Sequence, residues 1–94
     1  MKNFREKNFE LMSAPFLDLH GYRYSEVSNE VVRFIEDHLG KDSIVDIITG
    51  KSQRMKDEVI KVLREYDLEY ITGLPLFAGK IRVLMYDYTN KDGW

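Results

Sequence analysis

Two stretches of this chain carry apolar residues at helical spacing, and short runs rich in β-branched residues flank them. Few folds accommodate that order. In "SEVSNEVVRFIEDHLG" the residues Val27, Val31, Phe34, Ile35 and Leu39 make one stripe. Ser25 suits an N-cap, Glu26 suits the first turn, His38 the last turn, and Gly40 the C′ position. The second stripe is Met55, Val59, Val62, Leu63 and Tyr66, which predicts a helix over residues 54–66. Strands are expected at "FLDLH" (16–20), bounded by Pro15 and Gly21, and at "DSIVDIIT" (42–49). Two more are expected at "LEYITG" and "KIRVLMYDY", joined by the glycine- and proline-bearing turn "GLPLFAG". The order is β-α-β-α-β-β.

Strands alternating with helices pair in parallel through right-handed crossovers, so both helices fall on one side of the sheet. The expected fold class is α/β, a two-layer sandwich with one sheet face uncovered. A length of 94 residues suits one such domain. Residues 1–15, "MKNFREKNFELMSAP", mix charged and apolar residues without a clean period and read as an N-terminal arm; residues 16–94 form the domain.

Composition narrows the function classes. Cysteine is absent, which excludes a disulfide framework, a thiolate metal site and a cysteine nucleophile. No apolar run approaches the ~18 residues of a membrane span, and the first residues lack the apolar core of a signal peptide. A cytoplasmic location with no membrane partner is expected. The net charge of −2 argues against strong non-specific affinity for phosphate backbones. It still allows local basic patches, and "GKSQRMK" carries one in Lys51, Arg54 and Lys56; Lys80 and Arg82 make a smaller one.

Chemistry-bearing residues gather where two parallel strands would end. Along the first strand, alternation puts Leu17 and Leu19 on one face and Asp18 and His20 on the other, the latter pair with Cα atoms roughly 6.5–7 Å apart. Val45, Ile47 and Thr49 share a face of the second strand, with Asp46 on the opposite, open one. Ile81, Val83 and Met85 are expected to look inward from the fourth strand, and Arg82, Tyr86 and Tyr88 outward. Ligands in parallel α/β units bind beyond the strands' carboxyl ends. The loops "HGYR" and "TGKS" open at that edge. Gly50 permits close backbone approach, Lys51 supplies a cation, and Ser52 can cap the next helix, whose free N–H groups suit a phosphate.

"LDLHG" at residues 17–21, followed by an amphipathic helix and then "IVDIITGKS" at residues 44–52, resembles the Smr (small MutS-related) domain family. The resemblance spans about residues 16–86 and suggests a short stand-alone member of the kind found in phage or bacterial genomes. Ser52 stands where the family usually has its second loop glycine, and near the last strand only Gly79 matches the usual glycine-rich pattern. The resemblance implies a four-stranded mixed sheet with an internal, antiparallel last strand. It also implies a nuclease that nicks DNA or cleaves RNA, some relatives acting on ribosome-bound messages. The matching positions are Asp18 and His20 for catalysis, and Thr49, Gly50 and Lys51 for substrate phosphates. Gly21, Ser52, Arg54, Lys56 and Arg82 complete the candidate substrate-binding set.

A lone histidine near a strand end is more often structural; the Asp-x-His-Gly context and the second loop turn His20 toward function. Neutral His20 could take a proton from water or an RNA 2′-hydroxyl, or its charged form could protonate the leaving oxygen. Asp18 could orient it or help hold a divalent metal, Mg²⁺ or Mn²⁺, although two such ligands make a weak metal site. No cofactor is required by the sequence. Asp46 suits a structural role, and His38 a cation at a helix end. The expected function is an endonuclease acting on single-stranded RNA, or on DNA. The alternative is a non-catalytic nucleic-acid- or ribosome-binding module. A remoter one is an adaptor that binds a protein through the 1–15 arm.

Overall fold

The computed structural model describes residues 14–73 and 75–85. The expected contributions of the arm up to residue 13, and of Tyr86 and Tyr88, lie outside those residues. Strands β1 (Phe16–Asp18), β2 (Ile44–Ile48), β3 (Glu69–Ile71) and β4 (Lys80–Leu84) form one sheet in the order β1-β2-β4-β3. Helices α1 (Tyr24–His38) and α2 (Gln53–Glu65) provide the crossovers, and a 3₁₀ turn, Pro75–Phe77, precedes β4. β1 pairs parallel with β2, while β4 is antiparallel to both β2 and β3. The last strand is thus internal, and β1, β2 and β3 all point the same way. This is the α/β, four-stranded mixed sheet with two helices that the pattern and the resemblance led one to expect.

The core follows from the two periodicities. Val27, Val31 and Ile35 from α1 and Met55, Val59, Val62 and Leu63 from α2 are buried against Val45 and Ile47 of β2 and Ile81 and Val83 of β4. Each such side chain, when fully buried, contributes about 1.5–3 kcal/mol. Phe34, Leu39 and Tyr66 sit at the margin, half-buried against this cluster. Leu19 and Met85 extend the core just beyond β1 and β4.

Several boundaries differ from the sequence expectation. β1 stops at Asp18, because Leu19 to Tyr22 close a turn in which Tyr22 N–H donates to Leu19 O at 3.1 Å. Gly21, at φ +87°, takes the left-handed third position that an L side chain resists. Ser25 is not the cap of α1. Arg23 holds that place with extended backbone, and its N–H donates to Glu26 Oε1 at 2.9 Å. Gly40 follows the α1 C-cap Leu39 with φ +78°, as its position suggested. α2 ends without glycine. Asp67 takes φ +57°, its N–H donates to Arg64 O, and Leu68 N–H donates to Leu63 O, the paired bonds of a Schellman ending.

The sheet face that carries no helix among the described residues has rows set by the register. One row is Phe16, Asp46, Arg82 and Ile71; the next, toward the carboxyl ends of β1 and β2, is Asp18, Ile48 and Lys80. Asp46 is only 5% exposed. Arg82 grips it through Nε at 2.8 Å and Nη2 at 3.0 Å, and Lys80 Nζ adds a contact at 3.4 Å. Both cations also face the Phe77 ring, at 5.4 Å and 5.5 Å from its centroid. Burial of Asp46 works to raise its carboxyl pKa. The hydrogen bond and charge of Arg82, with help from Lys80, outweigh that and hold it below the ordinary value. Asp46 therefore has a structural role on that face, the role its sequence position favoured.

Candidate functional site

The carboxyl ends of β1 and β2 open into a cleft of about 450 Å³ lined by Asp18, Leu19, His20, Gly21, Ile48, Thr49, Gly50 and Met55. Parallel pairing creates it: Leu19 N–H donates to Ile48 O at 3.0 Å, so the loops leaving both strands emerge side by side. Asp18 and His20 thus share one cleft. They do not sit as alternate residues of one strand, because β1 ends between them. Asp18 Oδ1 instead accepts the backbone N–H of His20 at 2.9 Å, which fixes the turn and carries the imidazole out at an exposed position.

The second wall is the loop after β2. Its backbone is tied to the start of β4, where Gly79 O accepts both Thr49 N–H and Gly50 N–H at 2.9 Å. The buried Thr49 hydroxyl donates to Gly50 O at 3.0 Å and toward Gly79 O at 3.3 Å. Thr49 thereby braces the loop with its side chain. Gly50 and Gly79 both have positive φ, and a Cβ on Gly79 would touch Gly50 Cα at 3.6 Å, so the two loop glycines pass closely. Lys51 follows at an exposed position.

Ser52 caps α2. Its Oγ accepts Met55 N–H at 3.1 Å, and its carbonyl accepts Lys56 N–H. The N–H groups of Gln53 and Arg54 lie in the first turn, where no intrahelical partner exists, so they face outward beside Lys51. Arg54 is exposed and Lys56 half-buried on the same turn. Asp18, His20, Gly21, Thr49 and Gly50 line the cleft; Lys51, Ser52, Arg54 and Lys56 are not among its lining residues and neighbour it through the chain, next to Gly50 and Met55. Arg82 does not belong to this group. It lies one row further along the sheet, with two of its donors committed to Asp46.

One residue beside the cleft escaped the sequence reading. Tyr24 opens α1, its hydroxyl is 3.2 Å from Ser52 Oγ, and the Arg54 guanidinium lies 4.3 Å from its ring centroid. Its only sequence signal is its nearness to "HGYR".

Asp18 is the only carboxylate among the cleft-lining residues. Among the described residues, no three histidine, aspartate or glutamate side chains stand together as a metal would need. A divalent ion there would meet Asp18 and complete its shell with water and substrate phosphate oxygens. Also among the described residues, no helix is long and apolar enough to cross a membrane.

No curated protein and no solved structure matches this chain. The family model described as "Smr domain" matches residues 17–75, from the first leucine of "LDLHG" to the 3₁₀ turn before β4. That span is well over half of the chain and contains both loops of the cleft, so the chain belongs to the Smr domain family, a family of nucleic-acid-binding and endonuclease domains.

Proposed function

We propose that this chain is a nucleic-acid endonuclease that favours RNA, with His20 as its proton-transfer group. The observation that supports this most is the meeting of Asp18 and His20 with the Thr49–Gly50 loop in one strand-end cleft. On RNA, neutral His20 removes the proton of a 2′-hydroxyl, whose oxygen attacks the adjacent phosphorus. The bond to the 5′-oxygen breaks, and that oxygen takes a proton from water or from the imidazolium just formed. Lys51, Arg54 and the first N–H groups of α2 offset the charge gathering on the phosphate. On DNA, water replaces the 2′-hydroxyl as nucleophile. A divalent metal at Asp18 would supply further charge to the phosphate.

A second reading has its own support. The Asp18 carboxylate is already used to hold a turn, and the chain as a whole is acidic. Those facts favour a module that binds nucleic acid, or message on a ribosome, without cutting it.

End-labelled single-stranded RNA and matched DNA, incubated with EDTA or with Mg²⁺ or Mn²⁺, separate the two. The endonuclease reading expects RNA cleavage that falls by about 10²–10⁴-fold in His20→Ala while binding persists. Absence of cleavage by the wild-type protein, on free RNA and on ribosome-bound message alike, would leave the binding module.

A further inference from the structure

Tyr24 and Arg54 are thirty residues apart in sequence, and each belongs to the first turn of a different helix. Neither lines the cleft itself, but each lies close in sequence to one of its two loops. Tyr24 follows the "HGYR" loop, and Arg54 follows the "TGKS" loop. The guanidinium lies over the ring at 4.3 Å, and the Tyr24 hydroxyl reaches the α2 cap, Ser52. One aromatic side chain therefore touches both the cap and a cation of the phosphate-facing helix end.

We propose that Tyr24 is a positioning residue that holds Arg54 ready for a nucleic-acid phosphate; this rests on the reading of Arg54 as a phosphate contact. A guanidinium stacked on a ring uses the plane of the group, while its N–H donors point outward along its edges. A carboxylate partner would consume those donors, as Asp46 does for Arg82. Arg54 has no carboxylate partner among the described residues, so stacking restrains it and leaves its donors open. Tyr24 is 38% exposed, so core packing does not account for where its ring lies. The contact with Ser52 limits how the ring tilts. Fixing a long side chain at the moment of binding weakens affinity by about two- to tenfold, and a side chain already restrained avoids that loss.

The test is a thermodynamic cycle on binding of a fluorescein-labelled oligouridine RNA, titrated over a range of salt. Four variants are compared with wild type: Arg54→Ala, Tyr24→Leu, Tyr24→Phe, and the Tyr24→Leu/Arg54→Ala double variant. Arg54→Ala is expected to weaken binding and to make the slope of log affinity against log salt shallower by about 0.7. Tyr24→Leu is expected to weaken binding by about two- to tenfold in the presence of Arg54. It should have no further effect once Arg54 is gone. Tyr24→Phe, which keeps the ring, should recover most of the loss.

Equal losses from Tyr24→Leu with and without Arg54 would overturn the proposal and make Tyr24 a direct contact, such as a surface for a stacked base. No loss from Tyr24→Leu beside a clear loss from Arg54→Ala would overturn it outright. No loss from Arg54→Ala would remove its premise, and Lys51→Ala in the same assay would then show whether the loop still binds phosphate. Near-ultraviolet circular dichroism of each variant separates these results from misfolding.

Discussion

Asp18 Oδ1 holds the N–H of His20, so any substitution at Asp18 acts on the turn as well as on the chemistry. The two effects can be separated. Asp18→Asn keeps a carbonyl acceptor and removes the charge; its stability should stay within about 0.5 kcal/mol of wild type, while cleavage should drop at least about tenfold. Asp18→Ala loses the acceptor too and should cost about 1 kcal/mol in urea denaturation. An Asn variant that cut RNA at the wild-type rate would reduce Asp18 to a turn former. Sequence alternation put Leu17 and Leu19 on one face, and both pack toward the core because burial of apolar side chains dictates their side. It could not show that the strand stops at Asp18. The turn depends on a side-chain hydrogen bond and on Gly21, and period-two patterning does not register either.

Among the elements, α2 shows how a family's pattern can change without loss of its local structure. Serine and glycine are both tolerated as N-caps, serine because its oxygen satisfies a first-turn N–H. Ser52→Ala should therefore destabilise the protein by about 1 kcal/mol, and Ser52→Gly by only a few tenths, measured by thermal or urea unfolding. Equal losses in both would mean that the contact with Tyr24, and not the cap, matters most at this position. The stripes of both helices were legible because burial repeats every turn. The ends were less so. Arg23 caps α1 in place of Ser25 because the preceding turn delivers the chain in extended conformation one residue pair earlier. Asp67 ends α2 in a left-handed conformation that sequence reading reserves for glycine or asparagine.

For the molecule as a whole, the order of elements and the four-stranded sheet with two helices could be read from the pattern, but β4's place between β2 and β3 could not. That strand's position came from the family resemblance, since hydrophobic pattern does not say which neighbours a strand chooses. The choice brings Arg82 and Lys80 to Asp46 across the sheet. The Asp46 carboxyl titrates lower in the folded chain than its ordinary value of 3.8. Its contribution is therefore complete above the ordinary carboxylate range and is lost as pH falls below 3.8 through the folded value. Asp46→Asn should lower stability at neutral pH by on the order of 2–3 kcal/mol, between an exposed pair and a fully buried one. Urea midpoints followed from pH 7 to pH 2 should show a shallower acid decline in the variant; parallel declines would assign acid sensitivity to other carboxylates. The same central β4 also orders events during synthesis. A chain leaving the ribosome has made β1, β2 and both helices before the strand that joins β2 to β3 exists. Until that strand emerges, β2 and β3 present bare hydrogen-bonding edges to whatever is nearby, so the sheet is complete only once β4, which follows all of its partners in the chain, has been translated.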